Sequence, residues 1–229
     1  MLEPITQTRA LEASAAHTRR PSSQGAEPDA LPDLLLIERA RSGDERAIEA
    51  LVRRYSRRLF RVARSVLPDA ERAESAVIEA YVAAFGDLNR YEPTGKFAAW
   101  LTRLTFNQAR ALRASGRTAP AATAATELTG AGAQEREELE RQIGALPEVF
   151  RTVFVLRVVE GISGIETAAS LGVHETTVRT RLYRAHRRLG ADTVRRMRAL
   201  QPGLHDLSPA RLEALAAQVR TQLASGFTP

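Results

Sequence analysis

The residues that most clearly indicate a binding function are arginines concentrated in a short segment near the carboxyl end of the chain. Between His174 and Arg198, eight arginines and only two acidic residues give a local charge of +6, which equals the net charge of the whole chain. A planar guanidinium donates two parallel hydrogen bonds, a geometry that suits phosphate oxygens and the edge of guanine. The segment therefore predicts an anionic partner, with nucleic acid the first choice and an acidic membrane surface the second.

The spacing just upstream indicates how these arginines are positioned. Ala168, Gly172 and Val178 lie at relative positions 0, +4 and +10, a spacing typical of a helix-turn-helix. A small residue allows two helices to cross closely, and glycine tolerates a left-handed turn. We expect the remaining core positions to be filled by Ile165, Leu171, Val173 and Leu182. The alternative is an ordinary helical corner, with its basic face simply solvated.

On the second helix of such a motif, residues near the start reach base edges, whereas later ones meet phosphates. Arg184, Arg187 and Arg188 belong to the later group. The complete set of candidate DNA-contacting residues is Thr176, Thr177, Arg179, Thr180, Arg181, Arg184, Arg187 and Arg188.

Other kinds of site find little support in the sequence. Cysteine is absent and the four histidines are scattered, so we expect no metal site and no cofactor. No glycine-rich phosphate loop and no nucleophile–base constellation is present, and we therefore predict that the protein is not an enzyme. No apolar run approaches the roughly 20 residues of a membrane helix, and the amino terminus lacks a signal-peptide core. We expect no membrane insertion and a cytoplasmic location.

Helical periodicity and scarce strand signals predict an all-α chain of two small helical domains joined by a flexible linker. A long helix runs through Ile48–Val66, and its many arginines lie mostly off its apolar stripe. Prolines and small residues separate the parts. The predicted organisation is a disordered extension at 1–32, a helix bundle at 33–113, a linker at 114–133, a helix-turn-helix domain at 134–200, and a tail at 201–229 with one amphipathic helix.

Two blocks of the sequence resemble one family in the right order. Leu146–Leu189 resembles region 4 of the extracytoplasmic-function (ECF) group of bacterial sigma-70 factors. Glu38–Leu67 and Lys96–Arg113 resemble the start and end of region 2 of the same family. The resemblance implies a dissociable subunit of RNA polymerase that binds core polymerase and promoter DNA. Region 2 would open the −10 element, and region 4 would recognise the −35 element.

The resemblance also implies roles for residues in the first block. Candidate contacts to the −10 element are Trp100, Arg103, Phe106, Asn107 and Arg110, although Trp100 also suits a core position. Candidate contacts to core polymerase are Glu74, Ser75, Ile78 and Glu79. The family pattern A-E-D-x-x-Q-E departs here at Ser75 and Ile78, which replace an acid and a glutamine.

These departures keep two alternatives open. The chain is either a working sigma factor, or a helix-turn-helix regulator or anti-sigma decoy that no longer engages polymerase productively. An anti-sigma factor is a further candidate partner. For the tail helix, whose apolar face includes Leu212, Leu215 and Val219, we expect packing on the second domain, with autoinhibition of its DNA face or partner binding as alternatives.

Overall fold

The computed structural model describes residues 30–92, 96–116, 132–200 and 203–226. Within these ranges all regular structure is helical and no strand occurs, which confirms the all-α prediction. The α-helices are α1 (Asp33–Arg41), α2 (Glu45–Val66), α3 (Ala70–Gly86), α4 (Phe97–Ala114), α5 (Ala133–Gly144), α6 (Glu148–Phe154), α7 (Gly164–Leu171), α8 (Glu175–Leu189), α9 (Ala191–Ala199) and α10 (Pro209–Gly226). None of the described helices is long and apolar enough to cross a membrane.

Helices α1–α4 form a first unit around the apolar stripe of α2. Leu51, Leu59 and Val62 of that stripe have no exposed surface. The two long helices begin at side-chain caps: Asp44 accepts from the backbone of α2 and Asp69 from that of α3. The folded unit begins slightly earlier than the predicted boundary at residue 33, because Leu31 is buried in the same core. Residues 1–29 of the extension predicted to be disordered at 1–32 lie outside the described residues.

Helices α5–α9 form a second unit, and the predicted linker between the units lies largely outside the described residues, at 117–131. The core of the second unit contains Leu139, Ile143, Phe154 and Met197, all without exposed surface. After α6 the chain widens into a π-helical turn at Val155–Val159 before it enters the helix-turn-helix.

The tail differs from the expectation that it packs on the second unit. Leu204 belongs to the core of the second unit, whereas Leu207 belongs to that of the first. The tail therefore crosses between the units, and α10 packs on α2 and α3. The apolar stripe of the tail was visible in the sequence, but periodicity alone does not identify the surface that receives such a stripe.

Candidate nucleic-acid interface

The helix-turn-helix forms where the spacing predicts it, between α7 and α8. Gly172 adopts a left-handed conformation with φ of 64°, and the backbone N–H of Val173 donates to the carbonyl of Ala168 at 3.1 Å. This 6→1 bond is the Schellman arrangement that ends a helix at glycine. Ala168 and Val178 are buried against Val153 of α6. The crossing of α7 and α8 is thus fixed by the small and branched residues that the sequence singled out.

One predicted core residue of this motif is misplaced. The Ile165 side chain is 71% exposed, whereas Leu171, Val173 and Leu182 are partly buried in the expected packing. Ile165 lies in the first turn of α7 and lines a cleft towards α4. The Ile165 side chain therefore lies at the cleft between the two units and outside the core of the motif.

Helix α8 presents its basic face to solvent. Thr176, Arg179, Thr180, Arg184 and Arg187 are exposed. Among the described residues, no ion pair forms with any of the arginines at 179, 181, 184 and 187. A cationic surface without neutralising carboxylates is an open site for phosphate.

Two shallow grooves run between α8 and the start of α6. The first, of about 430 Å³, is lined by Val149, Phe150, Thr176, Thr177, Thr180, Arg181 and Arg184. The second, of about 650 Å³, is lined by Phe150, Thr180, Tyr183, Arg184, Arg187 and Arg188. The grooves bring together every candidate residue of α8 except Arg179, which lines neither of them. The Arg188 guanidinium lies over the Phe150 ring at 5.5 Å, which holds it beside the second groove.

Helix α4 carries the other candidate DNA residues on two different faces. Arg103, Asn107 and Arg110 are exposed and follow one another at helical spacing. Trp100 is half-buried and contacts the rings of Tyr91 and Phe97, with centroid distances of 4.8 and 5.5 Å. The three polar residues thus form an open stripe, while Trp100 belongs to an aromatic cluster at its edge.

Phe106 does not lie on that open stripe. It packs with Val62 of the first unit and with Leu156 and Ile162 of the second. In this arrangement its partly buried ring is engaged between the two units, and the Arg110 guanidinium lies 5.7 Å from its centroid.

The second unit closes over part of α4. Helices α4 and α7 pack together, and their cleft of about 810 Å³ is lined by Trp100, Arg103, Ile165 and Glu166, among others. Arg103 approaches the turn of the helix-turn-helix: a side chain added at Gly172 would meet its guanidinium at 3.8 Å. The candidate −10 surface and the recognition motif are therefore adjacent in this structure.

Ion pairs stabilise the contact between the second unit and the first, and the sequence did not predict them. Glu166 of α7 accepts from Arg58 at 3.1 Å and from Lys96 at 3.2 Å. Burial acts to raise the pKa of Glu166, but these two hydrogen bonds outweigh it and hold the pKa below its usual value. Arg61 of α2 pairs with Glu160 at 2.8 Å, and both side chains are nearly buried. The sequence of α2 does not predict these ion pairs, because Glu160 and Glu166 are about a hundred residues away from Arg61 and Arg58.

Of the candidate polymerase-binding residues of α3, some are exposed and others are buried or paired with α10. Ser75 and Glu79 are exposed. Ile78 is buried at 6% exposure, and Glu74 forms an ion pair with Arg211 of α10 at 2.6 Å. Burial raises the pKa of the Glu74 carboxyl above its usual value, and the Arg211 guanidinium opposes that rise. One side of the α3 surface is thus covered by the tail of the chain.

The fold and these surfaces define a two-unit helical DNA-binding protein with a helix-turn-helix in its second unit. Comparison with known families assigns both units. The family model for sigma-70 region 2 matches residues 51–118, and that for sigma-70 region 4 matches residues 136–189.

Named relatives agree with this assignment. The RNA polymerase sigma-H factor of Pseudomonas aeruginosa is 30% identical over 193 residues, covering 76% of this chain and 96% of that protein. The ECF RNA polymerase sigma-E factor of Escherichia coli K12 is 32% identical over 174 residues, covering 68% and 91%. The solved structure of CnrH with the cytosolic domain of CnrY has a TM-score of 0.55 and 32% identity, covering 69% of this chain and 94% of that one. The chain belongs to the ECF group of the sigma-70 family and is an RNA polymerase sigma factor.

Proposed function

We propose that this sigma factor reads the −35 element of its promoters through the groove face of α8. The open arginine surface of α8 is the observation that carries the proposal. Arg181 and Thr177 lie in the first turns of the helix and line the groove with Val149 and Phe150, where recognition helices meet base edges. Arg187 and Arg188 come one to two turns later and suit phosphate contacts.

The polar stripe of α4 is the proposed −10 contact. Arg103, Asn107 and Arg110 share one exposed face, on which guanidinium and amide groups suit the backbone and base edges of an unpaired strand. Trp100 is proposed to support this stripe from its aromatic cluster. Phe106 joins the contact only if the second unit moves away from α4, because its ring packs between the units.

The proposed role is one of binding and strand opening in the cytoplasm, without covalent catalysis. Helix α3 is the proposed contact to core polymerase, through Glu74, Ser75, Ile78 and Glu79. An anti-sigma factor is a proposed further partner, and the similar protein CnrH was solved in complex with a second protein, the cytosolic domain of CnrY. We propose the region-2-like domain at 33–113 and the region-4-like domain at 134–200 as the units that carry these contacts.

The decisive experiment is a run-off assay with sigma-free core polymerase and sheared genomic DNA from the source organism. We expect discrete transcripts that require the protein, and an upstream sequence shared by their start sites. Binding to core polymerase is measured in parallel by fluorescence anisotropy.

A matched pair of variants ties the result to α8. Arg181→Ala removes a groove arginine, whereas Arg195→Ala removes an exposed arginine of α9 that pairs with Asp192. We expect Arg181→Ala to lose the specific transcripts and Arg195→Ala to retain them. Core binding without transcripts from any template would contradict promoter recognition, and absence of core binding would favour the regulator or decoy interpretation.

A further inference from the structure

The tail helix α10 lies in a groove between α2 and α3 and is held there by ion pairs along its length. Arg211 pairs with Glu74 of α3 at 2.6 Å. On the α2 side, Glu213 pairs with Arg53 and Arg220 pairs with Glu49, both at 3.3 Å. The order of these contacts shows that α10 runs antiparallel to α2.

The contact is also apolar at its centre. Leu215, Ala216 and Val219 of α10 are buried, and they belong to the same core cluster as Ile78 of α3. Ile78 stands where the family resemblance places a glutamine. Ile78 lies one helical turn after Glu74, the residue that pairs with Arg211, and is therefore on the side of α3 that α10 approaches. Burial of its apolar side chain in this core is favourable.

The segment leading to α10 is fixed at successive residues. Leu204 is buried in the second unit and Leu207 in the first. Between them, the backbone N–H of His205 donates to Glu140 at 2.7 Å, and Asp206 pairs with Arg61 at 3.2 Å. These contacts hold the start of α10 close to the α2–α3 groove, so α10 competes for this groove as an intramolecular ligand at high effective concentration.

We propose that α10 is an autoinhibitory helix that competes with core polymerase for α3. The inference rests on the proposed role of α3 in core binding. While α10 is docked, Glu74 is paired with Arg211 and Ile78 is buried, so that of the four candidate residues only Ser75 and Glu79 are fully exposed. Core polymerase must displace α10 to use the whole surface, so the apparent affinity is reduced by the fraction of molecules in which α10 is undocked.

Releasing α10 tests this directly in the full chain. Leu215→Asp with Val219→Asp places two carboxylates in the apolar contact. If the undocked state is populated at about 1–10%, the variant should bind core polymerase about 10–100-fold more tightly. The matched control is Ala214→Asp with Gln218→Asp, which adds the same charges at the same spacing on the exposed face of α10. We expect the control to bind like the wild type.

Locking α10 should have the opposite effect. The chain contains no cysteine, so Arg53→Cys with Glu213→Cys supplies the only two thiols, on facing sides of the groove and outside the proposed polymerase contact. A bis-maleimide with a reducible spacer should join them and abolish most core binding. Reduction of the spacer should restore binding, and Arg53→Cys alone, treated in the same way, should show no change.

The outcomes separate the inference from the function on which it rests. Equal core affinity of wild type, released and locked protein would overturn autoinhibition while leaving the sigma-factor role intact. Weaker binding by the released variant would show that α10 merely supports the fold, and would also overturn the inference. If no form binds core polymerase, the proposed role of α3 fails, and autoinhibition fails with it.

Discussion

Helices α2 and α8 are both rich in arginine, but the structure uses their charges in opposite ways. Most arginines of α2 are paired within the chain, among them Arg54 with Asp33, Arg58 with Glu166, and Arg61 with Glu160. Those on the groove face of α8 have no carboxylate partner among the described residues and remain in water. Local charge density therefore does not by itself mark a nucleic-acid surface. The acidic residues that the fold brings opposite the arginines decide their role.

A second difference concerns accessibility. The face of α8 is open, whereas the candidate surfaces of the first unit are each partly covered, α4 by α7 and α3 by α10. The chain thus presents the proposed −35 surface, whereas the proposed −10 and polymerase surfaces are partly covered. Mutations on the two arginine helices should consequently affect different properties, stability for α2 and DNA binding for α8.

The largest effect should come from Arg61→Ala on α2. This side chain is 12% exposed and bonds Glu160, Asp206 and the carbonyl of Leu204. Its removal leaves a nearly buried carboxylate unpaired, which should cost about 2–4 kcal/mol of the free energy of unfolding. Urea denaturation measures this loss. Arg53→Ala, whose side chain is 43% exposed, is the control and should change stability by less than about 1 kcal/mol. Equal losses would remove the proposed distinction between buried and exposed pairs.

On α8, Arg181→Ala should weaken specific DNA binding by about 1–3 kcal/mol and relax the preference at one base pair. The side chain lines the groove beside Thr177 and has no ion pair to lose within the described chain, so the free energy of unfolding should remain nearly unchanged. Competition assays on a library of promoter variants measure the preference. A uniform loss of affinity across all sequences would instead assign Arg181 to phosphate contact.

The sequence predicts the features of this fold that depend on neighbouring residues. It does not predict the contacts between residues that are distant in the chain. The periodicity of α2, the Ala168–Gly172–Val178 spacing and the basic face of α8 depend on residues within one or two turns of each other. The pairing of Arg58 with Glu166 and the seating of α10 on α3 join residues more than a hundred positions apart. Ile165 shows the same limit: an apolar residue at a core-like position instead lies in the cleft between the two units.

A smaller effect is expected for Arg188→Ala. Stacking over Phe150 holds the guanidinium beside the second groove of α8, where it suits a phosphate. Loss of one phosphate contact should lower DNA affinity equally for all sequences and reduce the salt dependence of log K by about 0.9. Titrations at several salt concentrations measure that slope. A loss confined to one promoter sequence would contradict the phosphate role.

The smallest effect should come from Glu166→Gln, which weakens the contact between α7 and the first unit. The carboxylate bridges Arg58 and the exposed Lys96, so its neutralisation should cost about 0.5–1 kcal/mol. Cysteines introduced at the exposed positions Glu45 and Arg195 allow energy transfer between dyes to report the separation of the two units. We expect a larger population of molecules with separated units for Glu166→Gln, and no change for Glu137→Gln, an exposed residue of α5.

Acid should separate the two units in the same way. Because the pKa of Glu166 is lowered in this contact, the stabilisation that its carboxylate provides is present at neutral pH and is lost as the pH falls through that lowered value. A separation that is the same in both variants and at all pH values would show that apolar packing around Phe106 alone holds the units together.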